Sequence, residues 1–432
     1  MINPTQRTFN FIFKSTKISQ NKKVFRDKEL RLTKKQQKRF YFLLLLSLFF
    51  SQISSSPKSK PNFDNIRVLL PTPKPTNKKY KAYRFNITSS NGIKIRTQIK
   101  TKRKIIYKKE NLTIEVNKLG IYLVDTKNKK IKVKSKAISL VPLKDDHLRI
   151  NNTPYQGIVT IHLVKNGAPQ IVNTLKLDDY IYSVLRYELY QSWALEVQKV
   201  QAITSRTYAV YQIKNARRQN KVYDIKNNNF HQTYKGTHNY SHLRKAVSST
   251  KNSILTYKNK IALTMFDACC GGVIPANMSE PRFEKCPYLA RKSRCTYCKK
   301  NSFFRWGKNI KIDGLLSSLK TKQNIGKFRN IKVLKKDKAG ITHKVLILGS
   351  KKSIQCSGKD LWDCMRSNVR SQNFSLKKVP HKNEFKISGK GFGHHLGLCQ
   401  FGARELVRKG WKYKKILKFY YPGTKLNNLK KI

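Results

Sequence analysis

The chain has 432 residues, of which 92 are Lys or Arg and 22 are Asp or Glu, so its formal net charge is +70. Hydrophobic residues make up 39% and aromatic residues 11%, which is enough apolar material for a core and excludes a chain disordered throughout. The length favours two domains with extensions, and the repeated runs of ~20 apolar residues that mark a multi-span membrane protein are missing.

The first informative segment is a basic stretch followed by a short apolar run. Residues 34–39 are basic apart from two Gln, residues 40–50 are almost purely apolar, and a Ser-rich stretch follows. This order is typical of a secretory signal, and the apolar run is short for a full bilayer span. We therefore predict a basic extension at residues 1–39 and a signal or membrane anchor at residues 40–56. A buried core helix is the alternative.

Short β-type runs dominate the next part of the chain. A Pro-rich linker is predicted for residues 57–79, with one strand-like run at residues 66–70. Residues 80–175 form a predicted β-rich part, in which apolar runs alternate with turn residues such as Asn-Gly. The clearest of these runs are residues 105–107, 112–116, 121–124 and 158–164. This part of the chain is predicted to be antiparallel β.

Helical periodicity then replaces the β pattern. The apolar positions of residues 192–215 repeat at helical spacing, which predicts a long central helix. Ser192 is the predicted N-cap, and Glu196 in the first turn suits the positive end of the helix dipole. A shorter helix is predicted for residues 178–189, so Glu188 falls at the junction between the two helices.

The remainder mixes strands and helices, and we treat residues 176–432 as one part. A Cys-rich insertion occupies residues 269–298. Further elements are predicted as strands at residues 254–257 and 261–266, a hairpin joining residues 331–334 to 343–348, and helices at residues 399–409 and 413–420. The chain is thus predicted to be α+β, antiparallel and β-rich, with a long central helix and C-terminal helices.

Eight cysteines lie in this part of the chain. Cys295 and Cys298 form a C-x-x-C pair, Cys286 lies upstream, and Cys270 or Cys269 could complete four thiolates for zinc. In an exported chain disulfides compete with a metal site. A structural zinc at Cys270, Cys286, Cys295 and Cys298, disulfides, and free thiols remain three open interpretations.

Five segments are informative because of their order. They are Leu-Asp-Asp-Tyr-Ile at residues 177–181 leading to Glu188, the stretch from residue 194 to Ser-Arg-Thr-Tyr-Ala at 205–209, Phe-Asp-Ala-Cys-Cys-Gly-Gly at 266–272, Gly-Phe-Gly-His-His-Leu-Gly-Leu-Cys-Gln-Phe-Gly-Ala at 391–403, and Ile-Leu-Lys-Phe-Tyr-Tyr-Pro-Gly-Thr at 416–424. In this order they resemble the SpoIID/LytB family, the stage II sporulation protein D group of peptidoglycan enzymes and amidase enhancers. The chain departs from the family pattern at Asp267, where many members have His, and at His395, which replaces a Gly.

The resemblance implies a SpoIID-like fold and lytic transglycosylase activity. Such an enzyme cleaves glycan strands between N-acetylmuramic acid and N-acetylglucosamine and leaves a 1,6-anhydro end. Glu188 would be the general acid, since apolar neighbours raise a carboxyl pKa, and its carboxylate would then take the proton of the C6 hydroxyl. A solvated Glu at a helix end is the competing interpretation. No cofactor would be required.

Six further residues are candidates for substrate binding: Arg206, Tyr208, Gly391, Gly393, His394 and Gln400. The fork of Arg206 could pair with a substrate carboxylate or form a structural salt bridge. The glycines would let the backbone approach a ligand or form a tight turn. His394 and Gln400 could hydrogen-bond a sugar or only stabilise a turn.

Two other functions remain open, a non-catalytic enhancer of a cell-wall amidase and a basic polyanion-binding protein. The positive charge, spread along the whole chain, would attract anionic envelope polymers, although AT-rich codon usage also produces such a composition. The expected partners are peptidoglycan glycan strands, those polymers and an amidase. No specific nucleic acid is expected, because the corresponding motifs are missing and the chain is predicted to be exported to the bacterial cell envelope or periplasm.

Overall fold

A computed structural model describes residues 62–76, 81–99, 102–108, 111–144, 146–165, 167–228, 231–311, 324–365, 368–382 and 384–432 of the protein. The predicted basic extension at residues 1–39 and the predicted signal or anchor at residues 40–56 lie outside the described residues. Within the described ranges, every helix is too short or too polar to span a bilayer.

Strands account for most of the regular structure in the described residues. In chain order they are β1 (Asn65–Leu69), β2 (Tyr83–Thr88), β3 (Ile93–Ile99), β4 (Lys102–Lys108), β5 (Asn111–Asn117), β6 (Gly120–Val124), β7 (Lys130–Val133), β8 (Ala137–Pro142), β9 (Leu148–Ile150), β10 (Thr153–Tyr155), β11 (Ile158–Leu163), β12 (Pro169–Lys176), β13 (Ile225–Lys226), β14 (Ser253–Tyr257), β15 (Lys260–Ile261), β16 (Phe266–Asp267), β17 (Arg305–Lys311), β18 (Phe328–Lys336), β19 (Thr342–Gly349), β20 (Ser353–Ser357), β21 (Phe374–Lys378), β22 (Glu384–Lys390), β23 (Leu398–Cys399) and β24 (Lys425–Asn428). Six α-helices accompany them in the described part of the chain: α1 (Leu177–Glu188), α2 (Leu195–Arg218), α3 (His242–Ser248), α4 (Gly358–Cys364), α5 (Gln400–Arg408) and α6 (Tyr413–Tyr420).

Two large, mainly antiparallel sheets form the β-rich part. One has seven strands in the order β13-β1-β12-β11-β8-β3-β4, and the other has six in the order β10-β9-β2-β5-β6-β7. In the seven-stranded sheet β1 lies antiparallel to β12 and parallel to β13, with Ile66 opposite Leu175 and Val68 opposite Ile225. These four side chains are buried. The sheet therefore joins strands from both sides of the boundary that the sequence placed at residue 175.

The central helix is the element around which the C-terminal part packs. Residues 200–210 of α2 are all buried, as expected for a helix covered on every side. It contacts α1, α3, α5, α6 and β14. The helix begins later than predicted, with Ala194 and not Ser192 at its N-cap, because Trp193 N–H donates to the Tyr190 carbonyl in a preceding turn.

The mixed α+β class, the long central helix and the C-terminal helices are confirmed. One predicted strand, over residues 261–266, is wrong. That stretch contains the end of β15 and the start of β16, because Phe266–Asp267 turns away to pair in parallel with Leu398–Cys399. This pairing brings the Cys-rich insertion against the glycine- and histidine-rich segment.

A second hydrophobic core, which the sequence did not reveal, lies in the region of β17 to β22. Its buried members are Ile310, Ile325, Ile331, Val345, Ile347, Leu361, Met365, Val369, Phe374, Phe385 and Ile387. Two three-stranded sheets, β17-β22-β21 and β18-β19-β20, supply most of these side chains. The predicted hairpin over residues 331–348 is confirmed as the β18–β19 pair.

Candidate active site

Glu188 is the last residue of α1, where the chain leaves the helix for the turn that precedes α2. Leu189 has extended backbone geometry, with φ −128° and ψ 155°, so the helix ends there. The carboxylate Oε1 of Glu188 accepts a hydrogen bond from the backbone N–H of Thr233 at 2.8 Å. Leu185 and Leu189 on either side are buried. The predicted position of Glu188 at a helix junction is therefore confirmed.

The electrostatic surroundings of Glu188 favour a protonated carboxyl group. Burial raises its pKa above the usual value of 4.5, and the hydrogen bonds from Thr233 only partly oppose that effect. Among the described residues, no Lys, Arg or His lies within ion-pair distance of this carboxyl. A carboxyl group in such a place is suited to donate a proton near neutral pH.

Gln400 connects the end of α1 to α2 and α5. Its amide nitrogen donates to the backbone carbonyl of Glu188 at 3.0 Å and to Oε1 of Gln201 at 3.4 Å. The side chain is buried, at 7% exposure. The amide donor is thus engaged by protein acceptors, which makes Gln400 a positioning residue for the Glu188 junction. The sugar contact of Gln400 stays a prediction.

An aromatic row leads from the Glu188 junction to the glycine- and histidine-rich segment. We use this name for the rings of Tyr190, Trp193, Phe401, Phe303 and Phe392. Neighbouring ring centroids along the row are separated by 5.1 to 5.9 Å. The two end members are open to solvent, Tyr190 at 60% and Phe392 at 38% exposure. Guanidinium groups flank the row, with Arg404 5.7 Å from the Trp193 ring and Arg370 4.5 Å from the Phe303 ring.

The glycines of the segment at residues 391–397 serve the packing of the protein itself. Gly393 has φ +129°, and a Cβ at this position would lie 2.2 Å from Cβ of Asp267. Gly391 has φ +77°, and a Cβ there would lie 2.7 Å from the Cys269 carbonyl oxygen. The close approach that these two glycines permit is therefore to β16 and to the Cys-Cys pair. An approach of this segment to a ligand stays a prediction.

Asp267 and His395, at which the chain departs from the family pattern, contact each other. Asp267 accepts a hydrogen bond from the backbone N–H of His395 at 2.7 Å, and burial raises the pKa of Asp267 well above its usual range. His395 has φ +66°, in the left-handed region that favours the Gly of other members. Its Nδ1 lies 3.1 Å from the Cys270 carbonyl oxygen. The neighbouring His394 accepts from Leu396 N–H at 3.0 Å, a turn-stabilising contact.

Arg206 forms an ion pair and backbone hydrogen bonds inside the fold. Its side chain is fully buried on α2 and pairs with Asp178 at 3.0 Å. Its remaining donors bond the carbonyl oxygens of Thr250 at 2.8 Å and Val247 at 3.2 Å. These contacts fit the alternative interpretation, a structural salt bridge, which holds α1, α2 and the end of α3 together. The predicted substrate contact of Arg206 stays a prediction.

Tyr208 lies near the segment that holds Glu188. Its hydroxyl is 3.2 Å from Nδ1 of His231, and burial raises the pKa of Tyr208 to about 12. His231 is two residues before Thr233, the partner of the Glu188 carboxyl. Sequence reasoning missed this segment entirely, since residues 231–234 have neither periodicity nor a recognisable motif. Only the fold brings them to the end of α1.

Four cysteines converge beside the candidate active site. The sulfur atoms of Cys270, Cys295, Cys298 and Cys399 all lie within 4.8 Å of one another, and all four residues are buried. Three of them were predicted as a set. The fourth predicted member, Cys286, lies outside the cluster and contacts Tyr288, while Cys399 takes its place because β23 pairs with β16.

A cleft of about 500 Å³ lies elsewhere, against the Cys-rich insertion and α6. Arg291, Lys292 and Lys418 are among the residues that line it, together with Tyr288 and Phe419. Glu188 and the aromatic row do not line this cleft, so it does not contain the chemistry considered above.

The matches to known proteins cover most of the residues described above. A family model described as stage II sporulation protein matches residues 165–257, and a domain of unknown function, DUF8618, matches residues 228–397. An uncharacterized protein of Brachyspira hyodysenteriae is 30% identical over 367 residues, which cover 80% of this chain and 86% of that protein. An amidase enhancer of Bacillus subtilis is 24% identical over 74% of this chain and 50% of its own length. Stage II sporulation protein D of Bacillus subtilis is 24% identical over 61% of this chain and 78% of its own length.

Proposed function

Because this chain belongs to the SpoIID/LytB family, whose function is related to the cell wall, we propose that it is a lytic transglycosylase acting on peptidoglycan glycan strands. The observation that carries the proposal is the state of Glu188. Its carboxyl group has a raised pKa, lacks a cationic partner among the described residues, and lies two positions before Tyr190, the exposed first ring of the aromatic row. We expect the protein to act in the bacterial envelope, and the anchor at residues 40–56 stays a prediction.

The proposed reaction needs one carboxyl group. Protonated Glu188 donates its proton to the glycosidic oxygen as the bond from that oxygen to C1 of the muramic acid breaks. The resulting carboxylate then takes the proton of the C6 hydroxyl of the same sugar, and the C6 oxygen bonds to C1. The products are a 1,6-anhydro end and a new glucosamine hydroxyl, and Glu188 is protonated again. Because both reacting groups belong to one sugar, the ring closure benefits from proximity.

The other acids of the two helices are engaged elsewhere. Ordinary glycosidases use two carboxyl groups at a defined separation. Asp178 pairs with Arg206, and Asp179 pairs with Arg244 at 3.4 Å. Glu196 accepts from Tyr413 N–H at 2.8 Å. A mechanism with a single carboxyl group is therefore favoured over hydrolysis by an acid pair.

The aromatic row supplies a binding surface for a glycan strand. Rings such as Tyr190 and Phe392 present flat apolar faces, and binding sites for small ligands combine such faces with a few polar groups. Arg370 and Arg404, which flank the row, are suited to pair with the carboxylates of muramic acid and its peptide. The overall charge of +70 would hold the protein near anionic envelope polymers.

The test is digestion of stripped glycan strands by the purified chain, followed by mass spectrometry of the products. We expect anhydro-muramic ends from the natural protein and none from a Glu188→Gln variant. Glu405→Gln is the matched control, since among the described residues Glu405 pairs only with Arg404 at 3.9 Å and Arg408 at 3.1 Å, both on its own helix. Reducing ends without anhydro product would refute a transglycosylase.

A second candidate is enhancement of a cell-wall amidase without catalysis by this chain. The name of the Bacillus subtilis relative favours it, and that relative is matched over half of its length. In this case the aromatic row would bind glycan while a partner amidase cleaves the peptide. Stimulation of an added amidase that survives Glu188→Gln, together with the lack of anhydro ends, would select this function.

A further inference from the structure

The four-cysteine cluster is not explained by the proposed function. We propose that Cys270, Cys295, Cys298 and Cys399 bind one zinc ion, and that this metal fastens the Cys-rich insertion to the start of α5. The four residues come from three places in the chain, namely the end of the β16 segment, the C-x-x-C pair, and the N-cap of α5. A metal bound by these four cysteines would therefore crosslink three segments that are far apart in the sequence.

The distances between the sulfur atoms fit a metal better than a disulfide. Sγ of Cys270 and Sγ of Cys298 lie 3.6 Å apart, and all four sulfurs lie within 4.8 Å of one another. A disulfide would bring two sulfurs to about 2.05 Å. Zinc binds each thiolate at about 2.3 Å in a tetrahedron, which places neighbouring sulfurs roughly 3.8 Å apart. The arrangement is that of a closed, structural site with four protein ligands.

Backbone donors point at one of the sulfurs, as they do around metal-bound thiolates. The N–H of Cys270 and the N–H of Gly402 each donate to Sγ of Cys399, both at 3.3 Å. The lack of a side chain at Gly402 also makes room for the cluster, because a Cβ there would lie 3.0 Å from Sγ of Cys295. Donors from the surrounding protein orient a ligand and stabilise its negative charge.

A buried cation lies next to the cluster. Zinc with four thiolates carries a net charge of −2, which is costly to bury without compensation. Arg291 is 2% exposed, and within the described ranges its Nε and Nη1 have no hydrogen-bond partner. Its guanidinium lies 5.6 Å from the ring centroid of Tyr420, whose hydroxyl is 3.3 Å from Sγ of Cys295. A guanidinium in this position offsets the charge of the metal centre.

The metal would also act on the candidate active site, a consequence that rests on the proposed function. Cys399 directly precedes Gln400, whose side chain holds the backbone carbonyl of Glu188. A metal that holds Cys399 in place would therefore hold the start of α5 in place. Through the hydrogen bond of Gln400 it would also hold the end of α1. Loss of the metal would loosen the support of Glu188 without removing any group that touches substrate.

The experiment is elemental analysis and native mass spectrometry of the full chain, purified without chelator or added metal, with a count of thiols after denaturation without reductant. We expect roughly one zinc per chain, eight titratable thiols, and a melting temperature that falls with chelator and returns with zinc alone. Less than roughly 0.1 zinc per chain, iron in its place, or a disulfide within the cluster would overturn the proposal.

Variants separate this site from the other cysteines. Cys399→Ser and Cys295→Ser should each lower the zinc content at least tenfold, whereas Cys286→Ser and Cys356→Ser should keep it. Should the cluster variants fail to fold, the zinc content and the thiol count of the natural protein still decide whether the cluster binds zinc. Metal analysis needs no substrate, so a zinc-loaded chain without glycan cleavage would refute the proposed function alone, and an active chain without zinc would refute the metal site alone.

Discussion

Replacing Glu188 by Gln should abolish glycan cleavage and leave the fold intact. The substitution keeps the shape of the side chain and an oxygen that can accept the 2.8 Å bond from Thr233 N–H, but it removes the transferable proton. General acid-base catalysis by one group contributes about 10²- to 10⁴-fold, or about 3–5 kcal/mol of the barrier. Because one carboxyl serves both proton transfers, we expect the loss to lie at the upper end of this range.

The same variant should change the pH dependence of stability in a defined direction. Burial raises the pKa of Glu188 in the folded protein above the usual 4.5. A group with a raised folded pKa contributes stability below its unfolded pKa and loses that contribution as the pH rises through the folded pKa. Gln does not ionise, so the Glu188→Gln variant does not lose this stability as the pH rises. The variant should therefore gain in unfolding free energy relative to the natural protein as the pH rises through the folded pKa of Glu188.

Two assays check these expectations. Anhydro-muramic products are counted by mass spectrometry of digested glycan strands, and unfolding free energies are measured in urea between pH 4 and pH 8. The Glu405→Gln variant should match the natural protein in both, since Glu405 is partly exposed and pairs with Arg408 on the helix surface. Cleavage by Glu188→Gln at more than roughly a tenth of the natural rate, or a stability difference independent of pH, would refute the role assigned to Glu188.

Three further substitutions test the surroundings of the site. Gln400→Ala should leave the buried carbonyl of Glu188 without its donor, which costs about 1–3 kcal/mol in urea unfolding and lowers kcat more than it raises KM; unchanged kinetics would contradict the positioning role. Tyr190→Ala should weaken binding to insoluble glycan severalfold in a sedimentation assay with little change in Tm, because the ring is 60% exposed, whereas Leu119→Ala, at a residue 74% exposed in the turn between β5 and β6, should change neither. Arg206→Ala should destabilise the protein by about 3–5 kcal/mol in the same urea measurement, because it removes a buried guanidinium that pairs with the partly exposed Asp178 and leaves three backbone carbonyls without their donor; a loss confined to substrate binding would support the substrate-contact hypothesis.

The changes at Asp267 and His395 illustrate how two departures from a family pattern can compensate. Asp267 accepts a hydrogen bond from the backbone N–H of His395, and Gly393 leaves room for the Asp267 side chain. The imidazole of His395 in turn reaches the Cys270 carbonyl at 3.1 Å, next to a sulfur of the cluster. These contacts connect Asp267 and His395 to the loop that carries Cys399.

Local sequence patterns alone predicted many of the secondary-structure elements of this protein. The apolar spacing of the two helices placed Glu188 at their junction, and the helix bounds differ from the prediction by at most three residues. Periodicity and turn residues depend on neighbours a few positions apart, so they can be read without knowledge of the fold. The ordered motifs likewise identified the family before any contact was known.

Only the tertiary structure decided what surrounds Glu188. Gln400 reaches its carbonyl across 212 positions of sequence, and Cys399 lies beside Cys270 across 129. The buried pairing of Arg206 and the alignment of the aromatic row also depend on how separate elements pack. No local pattern records such contacts, because they are set by the pairing of β16 with β23 and by the packing of α1, α2 and α5. For this reason Cys399 took the place expected for Cys286, and Arg206 forms an ion pair with Asp178 inside the fold.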